Sequence, residues 1–364
     1  MVKEPGMKTP RKTTKASTRV KSVASNEGPV TLEEARALAQ AKLPKRIGRK
    51  ALTPATSPEA VGIEREKLAQ KRQEEIERRV REYKATMAIM KKRGAREPGA
   101  KRTRKPKPTE LAPKVTGFAP LQILAEGDSW FDYPVPFFGG GIITRLENRL
   151  GVPILNLAKA GDEVRYMLGV EERTILAQYF SAGCPAGGPW DVLLFSGGGN
   201  DIVDNPMALW VKDWNPAIPP ADHINKPRFD SALALVRAGY EDLIELRDQL
   251  SPNTRLIFQG YDFAIPDGRG ICHLGPWLKP TFDLRRFPNR AAASEVTKAM
   301  LKQFAAMLTS LARRPNVTFI KTQGTLPPRT SSWHNEMHPS SSGFDAFAYI
   351  FHRELKALFP NRVA

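Results

Sequence analysis

The chain has 364 residues but only two cysteines, Cys184 and Cys272. Two thiols make neither a disulfide framework nor a cysteine-rich zinc or iron–sulfur site, and nothing particular supports a single bridge between them. Long apolar runs are missing as well. Nothing approaches the roughly 18 residues of a membrane span, and the first 25 residues lack the apolar core of a signal peptide. The default location is therefore the cytoplasm, with leaderless export left open. Gly197-Gly198-Gly199-Asn200 is not followed by Gly-Lys-Ser/Thr, which argues against a Walker-type phosphate loop. His334 and His338 have the spacing of a metal pair, but no third ligand is evident and Pro339 disfavours a shared helical face. No metal and no cofactor is expected.

Positive charge is abundant but confined. The formal net charge is +18, and the segment through Val115 holds 31 Lys and Arg against 13 Asp and Glu, which accounts for all of it. The remaining 249 residues carry 25 of each sign. The composition thus divides the chain into a basic extension, 1–115, and a neutral globular part, 116–364. Residues 1 to about 30 have too few large apolar side chains to offset ordering entropy and are expected to be disordered. Thr31-Leu32-Glu33-Glu34 has capping-box spacing and predicts a short helix to about Lys42. A charged helix is expected over 58–93, where Ile76, Val80, Tyr83, Met87 and Met90 form a seam of little more than two heptads. Such a stripe docks the helix on its own domain or serves a partner or a self-associating pair. Residues 96–107, basic and broken by Gly and Pro, read as a linker.

From about Gly117 the chain alternates short apolar runs with helical patterns. Strands are expected at Leu121–Leu124, Pro153–Leu157, Trp190–Phe195, Arg255–Gln259 and Val317–Ile320. Helices are expected at 142–150, 163–180, 229–250, 289–313 and 341–358. Connections of ~20 residues imply parallel strands with helices on both faces, a three-layer α/β fold. Two stretches interrupt the alternation. Asp204–Arg228 contains Trp210, Trp214 and five prolines, and Tyr261–Pro288 contains Trp277. Loops this long and aromatic suit the walls or cover of a pocket.

The organising stretch is Ile123 to Phe131. Its strand stops at Gly127-Asp128, so Ser129 sits just past the end of a buried strand, where open α/β sheets place their ligands. Three other spots fall at strand ends: Ala160-Gly161-Asp162, Gly197 to Asp201, and Trp333 to Pro339. Parallel strands finish on one rim, which makes Ser129 and His338 plausible neighbours. A serine hydroxyl needs an adjacent base, and histidine, with a free pKa near ~6.5, is suited to take and return the proton. A tetrahedral oxyanion needs fixed donors, for which the backbone N–H groups of Ser129 and Gly161 and the side-chain amide of Asn200 are candidates.

Gly127-Asp128-Ser129, Gly161, Gly199-Asn200-Asp201 and His338 resemble, in order and spacing, the four blocks of the SGNH/GDSL hydrolases, over roughly residues 119–360. The resemblance implies a flavodoxin-like five-stranded sheet. It also implies Ser129 as nucleophile, Ser129, Gly161 and Asn200 as the oxyanion hole, and His338 as base. Asp128, Trp130, Trp210 and Trp277 are candidate pocket residues. One position departs from the pattern: Asn335 stands where the family has an Asp three residues before the His. Asp to Asn at a triad costs about 10⁴ in one protease, and here the options are an Asn335-assisted dyad, Glu336 as substitute, or a weakened enzyme. The first is favoured. The expected activity is acyl-ester hydrolysis on a small-molecule, lipid or glycan ester. The alternative is an inactive hydrolase scaffold whose basic extension binds nucleic acid or an anionic membrane.

Overall fold

The computed structural model describes Leu32 and residues 58–93, 120–134, 139–271 and 275–363. The start expected to be disordered, the rest of the helix expected over 31–42, the expected linker at 96–107, Cys272 and His273 fall outside this set. Five strands, β1 (Ile123–Gly127), β2 (Ile154–Asn156), β3 (Val192–Ser196), β4 (Arg255–Gln259) and β5 (Val317–Ile320), form one sheet in the order β2-β1-β3-β4-β5. Every pairing is parallel. β1 and β3 are buried along their whole length, as strands covered on both faces must be, which is why Val192-Leu193-Leu194-Phe195 reads as a continuous apolar run.

The helices are α1 (Pro58–Arg93), α2 (Ile142–Leu150), α3 (Val164–Met167), α4 (Val170–Ala182), α5 (Lys226–Leu250), α6 (Lys279–Leu284), α7 (Arg290–Leu311) and α8 (Ser341–Leu358). α2 buries Ile142, Ile143, Leu146 and Leu150, one face at three-to-four spacing. It ends at Gly151, whose φ of +67° a residue with a Cβ adopts only under strain. α8 starts at Ser340, whose side chain accepts from the Gly343 N–H, and buries Phe344, Phe347, Phe351 and Leu355. These two helices pack together. The helix expected over 163–180 is split at Leu168-Gly169 into α3 and α4. A Cβ at Gly169 would sit 3.1 Å from the Arg165 carbonyl oxygen, so the glycine permits the tight turn between them.

Chain direction positions the site. From β1 the chain moves outward to β2, then returns to place β3 on β1's other side, so connections depart in opposite directions from the β1/β3 boundary. Such a switch point leaves a crevice at the carboxyl ends of the strands. Gly127 pairs with Ser196 at that edge. Ser129 and Asn200 lie a few residues beyond and line the same cavity.

The charge boundary near residue 115 is not a packing boundary. Ile76, Tyr83, Met87 and Met90 of α1 are buried in the same core as the sheet, and Val80 packs against it. Tyr83 meets Trp190 at a ring separation of 6.0 Å and Cys184, a free buried thiol, at 3.4 Å. The apolar stripe is thus covered by the chain's own domain. Arg79 donates to the carbonyls of Asn156 and Ala158 and to Asp132, and Arg72 donates to the carbonyl of Leu157 and to Glu172. These contacts fall on the outer end of edge strand β2 and on the loop after Ser129. Beneath them lies Glu126, fully buried in β1. Burial pushes its carboxyl up to about 8, opposed by the Arg72 charge.

Candidate active site

Ser129 lies in a turn two residues past β1. The turn is held by the Asp128 carboxylate, which accepts from the Trp130 N–H (3.0 Å), the Ser196 hydroxyl (3.1 Å) and the Tyr261 hydroxyl (2.5 Å). Tyr261 in turn accepts from the Gly199 N–H at 3.0 Å, so one phenol joins the Ser129 turn to the Asn200 turn. Burial raises the Asp128 carboxyl to about 6 despite these donors. Ser196 is fully enclosed, with Asp128 and Gln259 as its hydroxyl partners.

His338 stands two residues before the cap of α8, and the packing of α8 on α2 carries it to the sheet edge. Its Nε2 lies 2.6 Å from Ser129 Oγ, across 209 positions of sequence. Its Nδ1 lies 2.9 Å from Asn335 Oδ1. That oxygen also accepts the backbone N–H groups of Met337 (3.0 Å) and His338 (2.9 Å), which fixes which end of the amide faces the ring. Nδ1 therefore carries the imidazole proton, and Nε2 is free to accept from the serine. Burial, with a smaller push from His334, lowers His338 to about 3, so the ring is neutral at neutral pH. Tyr133 covers it at 4.7 Å and 30°, and Trp277 meets it edge-on at 5.8 Å.

Glu336 faces away from the histidine. One carboxylate oxygen accepts from the N–H groups of Gly268 (2.9 Å) and Lys279 (3.0 Å), the other from Trp277 (2.6 Å) and Leu278 (2.7 Å). It is the anchor of the 267–279 loop, and all its acceptor capacity is directed there. His334 donates or accepts through Nδ1 at the Tyr133 hydroxyl, 2.6 Å away, rather than sharing a ligand with His338. Among the described residues no cluster of three His, Cys, Asp or Glu side chains is arranged to hold a metal ion.

Asn200 donates one amide hydrogen to the Asp162 carbonyl at 2.8 Å, which brings the Gly161 turn beside it and leaves the second hydrogen available. Gly161 has φ +87° and open space where a Cβ would stand. Asp201 accepts from the Val164 N–H at 2.9 Å, tying the β3 turn to α3. Asp128, Ser129, Trp130, Asn200 and His338 line one cavity with a free volume of about 40 Å³. Its apolar wall comes from Ile202, Val203, Ala264, Met300 and Leu301. A larger groove of about 1090 Å³, lined by Phe263, Lys279, Phe287 and Lys298 among others, shares Ala264 with it.

Of the two long loops, 261–288 supplies Tyr261, Asp262, Ala264 and Trp277 to the site. The other lies further out. Trp210 is buried against Phe229 and does not line the cavity, and Trp214 stacks on His223 at 4.8 Å. The sequence does not single out Tyr133, Tyr261 or the α7 residues Met300 and Leu301. Tyr261 stands two positions beyond β4 and shares the strand-end signal that marks Ser129. Tyr133 has no such signal.

A buried Ser129–His338 contact thus stands at the carboxyl edge of a parallel sheet, beside the Gly161 and Asn200 turns. The chain belongs to the GDSL-like lipase/acylhydrolase family, a family of ester-hydrolysing enzymes whose model matches residues 127–346. Solved structures to which the chain is similar include the lipase Lip_vut3 from a goat rumen metagenome, 19% identical with a TM-score of 0.42, covering 64% of this chain and 96% of that one. An extracellular lipase from Streptomyces rimosus is 14% identical with a TM-score of 0.42, covering 64% and 99%. Est24, a carbohydrate acetylesterase from Sinorhizobium meliloti, is 13% identical with a TM-score of 0.38, covering 66% and 100%. A search of proteins with curated functions finds no match. No helix among the described residues is long and apolar enough to cross a membrane.

Proposed function

We propose that the protein hydrolyses carboxylic esters through an acyl-enzyme on Ser129. The observation that carries this reading is the 2.6 Å contact between Ser129 Oγ and a neutral His338 Nε2 inside the cavity. His338 takes the serine proton as Oγ attacks the ester carbonyl. The oxyanion is met by the backbone N–H groups of Ser129 and Gly161 and the second amide hydrogen of Asn200. Neither backbone N–H has an acceptor among the described residues, so both donors are available without breaking a bond. The imidazolium returns its proton to the leaving alcohol as the C–O bond breaks. Water, deprotonated by His338, then adds to the acyl carbon and releases the acid and Ser129.

Asn335 holds the imidazole in the productive tautomer, a task that needs an acceptor but not a charge. The small apolar cavity suits a short acyl group, and the wider groove beside Ala264 suits a larger alcohol portion. Hydrolysis of p-nitrophenyl acetate by the wild type, lost in Ser129→Ala and His338→Ala at equal folded concentration, tests the assignment. Turnover that survives Ser129→Ala contradicts it.

A further inference from the structure

Resting on the assignment of Ser129 and His338 as nucleophile and base, we propose that Tyr133 and His334 are positioning residues that complete a one-directional hydrogen-bond relay in place of the missing carboxylate. The direction follows from donor counting. Asn335 Oδ1 already meets three donors, so the amide nitrogen must face the other way, where the Tyr133 hydroxyl lies at 3.5 Å. A phenol has one hydrogen. Accepting from Asn335, Tyr133 directs that hydrogen to His334 Nδ1 at 2.6 Å, and His334 keeps its own proton on Nε2. Burial and the nearby Arg269 charge hold the His334 pKa below its ordinary value, in line with a neutral acceptor.

Every hydrogen bond outward from His338 then points the same way: His338 to Asn335, Asn335 to Tyr133, Tyr133 to His334. The acceptor end of each dipole faces the catalytic ring. When His338 takes the serine proton, the new positive charge sits at the head of this line. Chained hydrogen bonds polarise one another by about 10–30% per bond, so the Asn335 carbonyl becomes a stronger acceptor than an isolated amide. The Tyr133 ring is held independently of its hydroxyl, by packing on His338 and on Phe344 at 5.2 Å. Tyr133→Phe therefore removes the relay and keeps the cover.

The test is a double-mutant cycle on p-nitrophenyl acetate with the full chain, using Tyr133→Phe, Asn335→Asp and the pair. In the wild-type background Tyr133→Phe is expected to lower kcat about tenfold with KM unchanged. In the Asn335→Asp background, where a carboxylate faces the ring, the same change is expected to cost less than about twofold. An equal loss in both backgrounds would make the hydroxyl merely structural and overturn the proposal. Imidazole ¹⁵N NMR of the full chain provides a second readout that needs no turnover. The expected spectrum has an unprotonated His334 Nδ1 and a His338 Nδ1–H resonance that moves in Tyr133→Phe. A protonated His334 Nδ1, or a resonance that does not move, overturns the relay. Turnover that survives Ser129→Ala would instead overturn the nucleophile assignment, and the spectrum would still decide the proton placement.

Discussion

Glu336→Gln is the substitution whose cost is most directly worked from the structure. The carboxylate receives four backbone N–H groups, two on each oxygen, from Gly268, Trp277, Leu278 and Lys279. Glutamine has the same shape but only one acceptor oxygen. Whichever way it turns, its NH₂ group meets two N–H donors in a site with no exposure to water. Hydrogen bonds to a charged group contribute about 1.5–3 kcal/mol each, and losing two with partial relaxation costs roughly 3–5 kcal/mol. The 267–279 loop carries Trp277 against His338, so kcat falls as well. Urea unfolding followed by tryptophan fluorescence measures the first effect and ester hydrolysis the second. A variant within about 0.5 kcal/mol of wild type, with unchanged kcat, would refute the anchoring role.

Three further outcomes follow from the packing and the charges. A chain beginning at Lys114 loses the burial of Ile76, Tyr83, Met87 and Met90, at ~1.5–3 kcal/mol per side chain, together with the arginines on β2; its Tm and hydrolysis both fall, and retention of both would contradict the docking of α1. Glu126 has a folded-state pKa raised from 4.5 to about 8, so its contribution to stability is full below 4.5 and is lost as pH rises toward 8. Glu126→Gln removes this dependence, and its Tm relative to wild type should climb through that window; a constant difference would refute the burial argument. With a cavity of about 40 Å³, acetyl and propionyl p-nitrophenyl esters should be turned over faster than octanoyl. A preference for octanoate would place the acyl chain elsewhere.

Strand ends are readable in the sequence because parallel topology forces them to one rim. The runs Arg255–Gln259 and Val317–Ile320 match β4 and β5, and Ser129 and His338 are neighbours although they stand 209 positions apart. Charge is a poorer guide. It divides the chain near residue 115, whereas α1 belongs to the same packed body, because a stripe of Ile76, Tyr83, Met87 and Met90 does not encode which surface it will cover. Sequence proximity makes Glu336 a candidate partner for His338. Its role is set instead by backbone donors from a loop some 60 positions away, which no side-chain pattern records. Trp210 reads as a pocket residue because it is a large aromatic in a long loop, yet its burial against Phe229 is an ordinary core contact. The basic segments outside the described residues carry most of the excess charge.

An acyl-enzyme on Ser129 is tested most directly by rapid-quench mass spectrometry of the full chain mixed with p-nitrophenyl acetate. The expected result is a transient gain of one acetyl group on the peptide containing Ser129, absent in Ser129→Ala. Hydrolysis without that adduct, or an adduct on another residue that accounts for turnover, would contradict it.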